Sequence, residues 1–267
     1  ARELAESLDR CNRERQEVER LTVEQARALL DATGGLGERG AIVLGQPGWH
    51  PGVIGIVAGR LAEWYHRPTI ILSVNGPLAQ GSARSVPGFN LVEALRTCSE
   101  HLTGFGGHAA AAGLRLKADL LPMFAVQFDQ HCRVALTPEQ RRKELLIDAE
   151  VLLGQLTMPV VEAIERIEPF GLGNPKPLLL ASHVRVMGDP KPCGASQQHL
   201  RLRLAQESIT LQAIGWNLTS RARDVVAGAL CSVVFSPSIN EWNDRRSVQL
   251  EIKDIRLEQA EAKARPA

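Results

Sequence analysis

The chain has 267 residues, 44% of them hydrophobic, so it can bury a substantial core, and its length predicts two domains. Because its formal net charge is only +1, any surface that binds nucleic acid has to be local. Five widely spaced cysteines include no C-x-x-C pair, which argues against a disulfide framework and a zinc site and fits a reducing cytoplasm. No apolar run approaches the roughly 20 residues of a membrane helix, and we expect neither a signal peptide nor a membrane anchor.

The first predicted element is a long, strongly charged helix from residue 1 to about residue 32, within a linking segment that we place at 1–38. Charged residues between 13 and 20 are spaced to form ion pairs on a solvated face. A thin apolar stripe is predicted to run along the helix, made of Leu4, Leu8, Cys11, Val18 and Leu21. Because the chain begins with Ala inside this helix, we expect it to be a fragment of a longer protein.

Strands alternate with helices over residues 39–136, which predicts an α/β domain. Strands are expected at 41–45, 69–74 and 110–116, and helices from about 51, over 90–101 and over 120–135. Asn90 can cap the middle helix, with Glu93 as its capping-box partner. On the first helix, Gly55 and Gly59 permit close packing on the sheet.

Two glycine-rich polar segments flank the middle helix and are predicted to be loops. Residues 81–85 read Gly-Ser-Ala-Arg-Ser, and residues 104–113 read Gly-Phe-Gly-Gly-His-Ala-Ala-Ala-Ala-Gly. Glycine lets backbone N–H groups approach an anion closely, and Arg84 adds a fixed charge, so the two loops together predict a phosphate pocket. Either loop alone is more often a structural turn, and it is their co-occurrence that favours a site.

The second half of the chain is rich in strands. Residues 137–176 are predicted to be a connector with one helix from about 159 to 167. Short strands separated by turn residues are expected at 145–152, 178–187, 200–204, 209–215, 229–235 and 247–257. This spacing predicts a mainly β, OB-like barrel over residues 177–260, with a polar end at 258–267 that frays. The predicted fold class is therefore α/β, with a long helix first and a barrel last.

The two glycine-rich segments resemble the DHH-associated domain of the DHH phosphoesterase superfamily. Residues 48–61, GWHPGVIGIVAGRL, resemble the segment that opens this domain in the RecJ family of single-strand-specific exonucleases. Residues 167–175, IEPFGLGNP, resemble the signature that precedes the OB domain of that family, and residues 199–204, 213–216 and 240–243 match its later strands and loop. The resemblance covers nearly the whole chain.

The resemblance implies the substrate-binding portion of a 5′-to-3′ exonuclease of single-stranded DNA, a hydrolase of DNA repair and recombination. Members use Mn²⁺ or Mg²⁺, held by a DHH domain whose Asp-His-His motif is absent here. Because the seven histidines show no ligand spacing, we expect this chain to bind no metal and to be inactive alone. The expected partners are single-stranded DNA with a 5′ end and a single-strand-binding protein, and the expected state is a cytoplasmic monomer.

By the family pattern, Ser82 and Arg84 would hold a terminal or near-terminal phosphate of the strand, and Ser85 is a further substrate-binding candidate. Gly106, Gly107 and His108 would complete the cleft by contacting the region of the scissile phosphate or ordering a metal-bound phosphate. A guanidinium such as that of Arg84 offers two parallel donors to a phosphate. His108 is the catalytic candidate, in an accessory role only. An imidazole that bonds a loop carbonyl is an equally good interpretation of this histidine.

Further candidates lie on both halves of the chain. Arg60 could line the same cleft, although a solvated side chain is the better interpretation, and Trp49 is expected to pack beneath the loops. On the OB-like half the substrate-binding candidates are Arg201, Arg203 and Trp242, within a larger basic set of Arg185, Lys191, Arg221, Arg223, Arg245 and Arg246. Trp216 is expected to plug the barrel. Since only 4% of residues are aromatic, binding should be mostly electrostatic and steeply dependent on salt.

Two other functions stay open on the sequence alone. One is a non-catalytic module that recruits single strands or a partner protein. The other is a DHH-type phosphodiesterase of short oligonucleotides or cyclic dinucleotides, which is disfavoured because about half of the chain lies beyond the DHH-associated domain. A domain with the Asp-His-His motif encoded upstream of Ala1 would establish the enzyme.

Overall fold

The computed structural model describes residues 2–142, 144–171, 173–194, 197–216, 218–219 and 225–258. The chain divides into two compact units, Ala1–Glu144 and Leu145–Ala267, and each unit has its own hydrophobic core. The division falls inside the connector that we predicted at 137–176. Two of the predicted basic residues, Arg221 and Arg223, and the tail beyond residue 258 lie outside the described residues.

Helix α1 runs over Arg2–Ala32 as predicted, but the predicted apolar stripe is wrong as a packing face. All five of its residues are exposed: Leu4, Leu8, Cys11, Val18 and Leu21. The buried residues belong to the second half of the helix: Glu19, Thr22, Val23, Ala26 and Leu30. Only that half packs on the unit, so the position of a residue along the helix decides its burial as much as its hydrophobicity does.

The first unit is a mixed five-stranded sheet with helices on both faces. Its strands are β1 (Ile42–Pro47), β2 (Thr69–Asn75), β3 (Leu78–Arg84), β4 (Leu102–Gly107) and β5 (Ala111–Lys117), in the order β1-β2-β3-β5-β4. Only β1 and β2 pair in parallel. The helices are α2 (Pro51–Tyr65), α3 (Leu91–Arg96) and α4 (Leu121–Ala135).

Alternation along β2 separates the two faces of this sheet. Ile71 packs with α1 and α2, whereas Ile70 and Leu72 pack with α3 and α4, as the two-residue period of a strand requires. On the second face, the rings of Phe124 and Phe128 are fully buried and stack at 5.7 Å between centroids. Both phenylalanines lie on the buried side of α4.

The two glycine-rich segments are strands, so their prediction as loops is wrong. Residues 81–84 complete β3, residues 104–107 complete β4, and β5 lies between them. Only residues 108–110 remain as the turn that joins β4 to β5. Glycine is depleted in strands and has no side chain that could show an alternating pattern. The sequence pattern therefore does not reveal these strands, which are defined by backbone pairing.

The helix between these segments is shorter than predicted, since α3 ends at Arg96 and a 3₁₀ turn follows at Ser99–His101. Asn90 caps it as expected, because its side-chain oxygen accepts a hydrogen bond from the Glu93 N–H at 3.3 Å. The carboxylate of Glu93 does not complete a capping box. It accepts from Arg96 at 2.6 and 2.7 Å instead.

The second unit is built on a closed barrel. Its strands are β6 (Ala149–Glu150), β7 (Leu179–Val186), β8 (Lys191–Cys193), β9 (His199–Gln206), β10 (Ile209–Gly215), β11 (Leu230–Trp242) and β12 (Arg245–Leu257), with helix α5 at Met158–Glu165. Five of these strands close a ring in the order β7-β11-β12-β10-β9 and back to β7. The β10–β12 pair is parallel and the other four pairs of the ring are antiparallel.

This is the predicted OB-like barrel, with three differences in detail. The expected strand at 145–152 shrinks to the two residues of β6, and β8 was not predicted. The expected late loop at 240–243 belongs mostly to β11, which continues to Trp242. Asn243 and Asp244 then form the turn with φ of 49° and 57°, the backbone that a two-residue hairpin turn demands and that Asn and Asp tolerate.

All five cysteines are free. Burial raises the pKa of the Cys98 and Cys132 thiols and raises the pKa of Cys231 to about 11. These three thiols therefore stay protonated at neutral pH and act as small apolar residues in the two cores. Within the part of the chain that the structure describes, no helix combines the length and the apolar character that crossing a membrane requires.

Candidate nucleic-acid interface

Arg84 lies at the end of β3, on the face of the sheet that α2 covers. Its guanidinium donates to the Ser82 hydroxyl at 3.2 Å and to the Ala83 carbonyl at 2.9 Å. A Cβ atom placed on Gly55 of α2 would lie 2.9 Å from the Ser82 hydroxyl and 3.1 Å from Arg84 Nη2. The predicted close approach at Gly55 is therefore confirmed, and it makes room for this arginine.

Arg84 has no ion-pair partner among the described residues, so its charge is available to a ligand. The side chain is only partly buried, and among the described residues no carboxylate lies within ion-pair distance of it. The Ser82 oxygen accepts from Arg84 and so keeps its own O–H free to donate. Together the two side chains present charged and neutral donors in the combination that suits a phosphate.

A surface without side chains lies beside these donors. Strand pairing places Ser82 opposite Gly113, and Gly113 opposite Gly106, so all three face the same side of the sheet. A Cβ atom added at Gly104, Gly106 or Gly113 would meet nothing within 4 Å. We call these three glycines the glycine floor. A polymer backbone can approach the floor as closely as the strands themselves allow.

His108 is exposed in the turn between β4 and β5. Its backbone N–H donates to the Ala111 carbonyl at 2.8 Å, and the Ala110 carbonyl accepts from the Ser85 N–H at 2.9 Å. That second bond brings the turn to the end of β3 that carries Arg84. No described residue forms a hydrogen bond with the imidazole of His108, so an accessory role for it stays a prediction.

Three other candidates have structural partners. The Ser85 hydroxyl donates to the Phe89 carbonyl at 2.7 Å, which orders the loop before α3. Arg60 lies 2.6 Å from a carboxylate oxygen of Glu19, which is buried on α1. Gly107, at φ 149°, is required by packing, because a Cβ atom there would collide with the Ala111 carbonyl. Substrate contacts by these three stay predictions.

Trp49 packs as expected. Its side chain is buried, and its indole N–H donates to the Gln25 side chain at 2.8 Å, which ties the start of α2 to α1. His50 caps α2 by accepting from the Gly52 N–H at 3.0 Å.

Sequence reasoning missed a second group on the same sheet face. A cleft of about 630 Å³ lies at the start of α2; we call it the Arg115 cleft, and its polar side chains include His50, Asn75, Gln80, Thr103 and Arg115. The signal was available, since Leu114, Arg115, Leu116 and Lys117 alternate as a half-buried strand does. The outward-facing arginine then follows from the buried leucines on either side.

In the second unit, Arg201 and Arg203 point outward from β9 between three buried leucines. Lys191 on β8 pairs with Arg201, and Gln212 on β10 pairs with Arg203. No described carboxylate forms an ion pair with either arginine. In chain order β9 and β10 are the second and third strands of the barrel, which is the face that binds oligonucleotides in OB folds.

The two tryptophans of this unit are both accessible. Trp216 is 48% exposed, so its prediction as a barrel plug is wrong. Ala213 and Gly215 point inward from β10, and because side chains alternate along a strand, the next residue points outward. Its ring meets His199 edge to face at 4.7 Å. Trp242 is 73% exposed beside the turn of the β11–β12 hairpin, the loop that flanks the binding face in this fold.

The described residues do not fit a metal site. No group of three or more His, Cys, Asp or Glu side chains comes together among them in a way that could hold an ion. A two-metal centre needs several such ligands within a few ångströms, and no reaction step through a metal follows from the side chains of these two units.

Each unit matches a known domain family. Residues 38–133 match the DHHA1 domain and residues 147–254 match the RecJ OB domain. The chain is 36% identical over 256 residues to the single-stranded-DNA-specific exonuclease RecJ of Bacillus subtilis, covering 95% of this chain and 32% of that protein. It is 31% identical over 259 residues to the RecJ of Haemophilus influenzae, covering 94% of this chain and 45% of that protein.

The fold agrees with these similarities. The crystal structure of RecJ in complex with Mn²⁺ from Thermus thermophilus superimposes with a TM-score of 0.77 at 28% sequence identity, covering 96% of this chain and 36% of that one. The corresponding complex with Mg²⁺ gives the same TM-score at 27% identity. The chain thus spans less than half the length of each of these relatives.

Proposed function

Because the chain consists of the DHHA1 and OB domains of the RecJ family, we propose that it is the substrate-binding portion of a 5′-to-3′ exonuclease of single-stranded DNA that acts in repair and recombination. The observation that carries the proposal is the position of Arg84. Its guanidinium has no carboxylate partner among the described residues, and it lies beside a strip of sheet that is free of side chains.

These side chains divide the work of holding a 5′ end. Arg84 donates two N–H groups to the terminal phosphate, and Ser82 adds its hydroxyl proton. The glycine floor lets the sugar-phosphate backbone lie against the sheet, and His108 reaches the strand from the turn above it in an accessory role. In the OB unit, Arg201 and Arg203 neutralise phosphates, and Trp242 offers a ring on which a base can stack.

The hydrolytic step belongs to a part of the enzyme outside the described residues. Solved RecJ structures contain Mn²⁺ or Mg²⁺, and we propose that the same ions serve the complete protein, held by residues outside this chain. This portion by itself is then inactive. A cytoplasmic location, a monomeric state and cooperation with a single-strand-binding protein are further parts of this proposal, supported by the substrate class and by the five free cysteines.

Binding to end-labelled oligonucleotides tests the role of Arg84. The chain should prefer a 5′-phosphorylated single strand over the same strand with a 5′-hydroxyl, and Arg84→Ala should remove that preference by weakening the phosphorylated ligand about tenfold, the effect of one lost charged contact. Arg96→Ala is the matched control, because Arg96 is an exposed arginine of the same unit that pairs with Glu93. Equal loss of affinity for both strands in Arg84→Ala would refute the terminal-phosphate role.

A non-catalytic recruiting module remains the alternative function. The coding sequence upstream of Ala1 separates the two: a domain with an Asp-His-His motif there supports the nuclease, and a start codon directly before Ala1 supports the module.

A further inference from the structure

The Arg115 cleft contains a positively charged hydrogen-bond donor and no described carboxylate. It encloses about 630 Å³ between the start of α2 and the strands β2 and β3. Arg115 supplies a positive charge, and the lining contains no Asp or Glu as far as the structure describes it. A site that is positive, polar and free of carboxylates favours an anion.

Four polar side chains of the cleft are available to a ligand. Asn75, Gln80, Thr103 and Arg115 are exposed, and none of them bonds to another described side chain or backbone group. The Ser73 hydroxyl, in contrast, already has a hydrogen-bond partner within the cleft wall, since it donates to the Trp49 carbonyl at 2.6 Å. Recognition in this cleft therefore depends on the four free side chains.

The first turn of α2 offers a ligand no free hydrogen-bond donor from Pro51, Gly52 or Val53. The N–H groups of Gly52 and Val53 are bonded to the ring and the carbonyl of His50, and Pro51 has no N–H group. The first turn contributes its dipole, which also favours an anion, but the hydrogen bonds have to come from the strands.

Strand register aligns this cleft with Arg84. Gln80 pairs with Arg115 in β3 and β5, as Ser82 pairs with Gly113 two residues further along, so both pairs face the same side of the sheet. Two residues of strand correspond to about 7 Å. Gln80 and Arg115 also line a smaller pocket of about 350 Å³, whose lining includes Gly104 and Gly113 of the glycine floor.

The cleft suits a phosphate better than a base. Trp49, the one tryptophan of its lining, is only 3% exposed and presents no ring face. We propose that the Arg115 cleft binds an internal phosphodiester group of the single strand whose terminal phosphate is held at Ser82 and Arg84. Arg115 and Gln80 donate to its non-bridging oxygens. This inference rests on the proposed function and adds a second phosphate subsite to it.

Competition with short nucleotides tests the subsite. A fluorescent 5′-phosphorylated single strand bound to the whole chain is displaced either by thymidine 5′-monophosphate or by the 5′-phosphorylated trinucleotide pTpTpT. Arg115→Gln should weaken pTpTpT about tenfold and leave the monophosphate unchanged, because only the trinucleotide has internal phosphates. Arg84→Ala should weaken both. Lys117→Gln is the matched control, since Lys117 faces the same side two residues further along β5 and lies outside the cleft.

Each failure has a separate meaning. If Arg115→Gln and Lys117→Gln weaken pTpTpT equally, the subsite is wrong, while dependence on Arg84 keeps the proposed function. If Arg115→Gln weakens the monophosphate as strongly as pTpTpT, the cleft holds a terminal phosphate or a free nucleotide, and the inference is again overturned. If the wild-type chain binds no single strand, the proposed function fails with it.

Discussion

At the scale of single residues, Gly55 determines where the Arg84 guanidinium can lie. Its missing side chain leaves the space that Arg84 Nη2 and the Ser82 hydroxyl occupy. Gly59 lies one turn later on α2. A Cβ atom added there would be 3.9 Å from Arg84 Cγ, an ordinary van der Waals contact. The two glycines can therefore be compared directly, because only Gly55 is needed for the observed positions of Ser82 and Arg84.

Gly55→Ala should displace the two donors without unfolding the unit. The atoms in the way are the ends of side chains, and alanine favours a helix by about 1 kcal/mol over glycine. We expect the preference for 5′-phosphorylated strands to fall about fivefold while the melting temperature stays or rises. Gly59→Ala gains the same helix propensity and should keep the preference, so fluorescence anisotropy with both strands separates the two variants. A preference retained in Gly55→Ala would show that the packing does not set the donors.

Glu19 shows what the sequence could not predict at this scale. Its spacing from Arg15 on α1 indicates a solvated pair, and that pair exists at 2.7 Å. Glu19 is nevertheless buried, and Arg60 of α2, 41 positions away in the chain, lies 2.6 Å from its other carboxylate oxygen. A charged residue that is buried by a distant element has no local signal. Ser82 and Arg84, in contrast, could be singled out as candidates because their motif is short and contiguous, and their contact with substrate stays a prediction.

At the scale of elements, β4 is a strand whose glycines serve opposite purposes. Gly106 faces open space on the glycine floor, whereas a Cβ atom on Gly107 would lie 2.6 Å from the Ala112 Cα atom. The sequence predicted that glycines matter in this segment and missed that they form a strand. Successive residues of a strand point to opposite faces, so one glycine can serve a ligand and its neighbour can serve the fold.

Valine substitutions should separate these two purposes. Gly106→Val places a β-branched side chain in open space on a strand, so we expect the melting temperature to change by no more than about 2 °C. The same side chain stands on the glycine floor and should lower affinity for single-stranded DNA about tenfold. Gly107→Val forces backbone groups apart at positive φ and should cost about 3 kcal/mol of unfolding free energy. Thermal melts and anisotropy titrations measure the two effects; a Gly106→Val variant that binds normally would contradict the floor.

For the chain taken as a whole, the formal net charge of only +1 is compatible with two proposed local basic sites, one at Arg84 and one on the β9–β10 face. The division into an α/β unit and a barrel was predictable, because hydrophobic periodicity changes along the chain. The strand pair that closes the predicted barrel was not predictable, since nothing local in the sequence specifies that Arg185 pairs with Ala205 and Val186 with Leu204, between β7 and β9. That closure leaves β9 and β10 with an outer face, on which Arg201 and Arg203 have no described carboxylate partner.

Salt dependence should distinguish the two basic sites. Each phosphate contact contributes about 0.7 to the slope of log affinity against log salt for a single strand. Arg201→Ala and Arg203→Ala should each lower the slope by about that amount, equally for 5′-phosphorylated and 5′-hydroxyl strands, because their contacts are internal to the strand.

Arg256→Ala is the matched control for these variants. Arg256 is an exposed arginine of β12 that pairs with Ser232 of β11, away from the β9–β10 face of the barrel. Its removal should leave the slope unchanged, whereas Arg84→Ala should change the slope for the phosphorylated strand only. Titrations at four salt concentrations between about 50 and 200 mM, the range over which counterion release changes affinity strongly, measure all four variants. A slope that falls as far in Arg256→Ala as in Arg201→Ala would mean that the barrel attracts DNA by its overall charge rather than through this face.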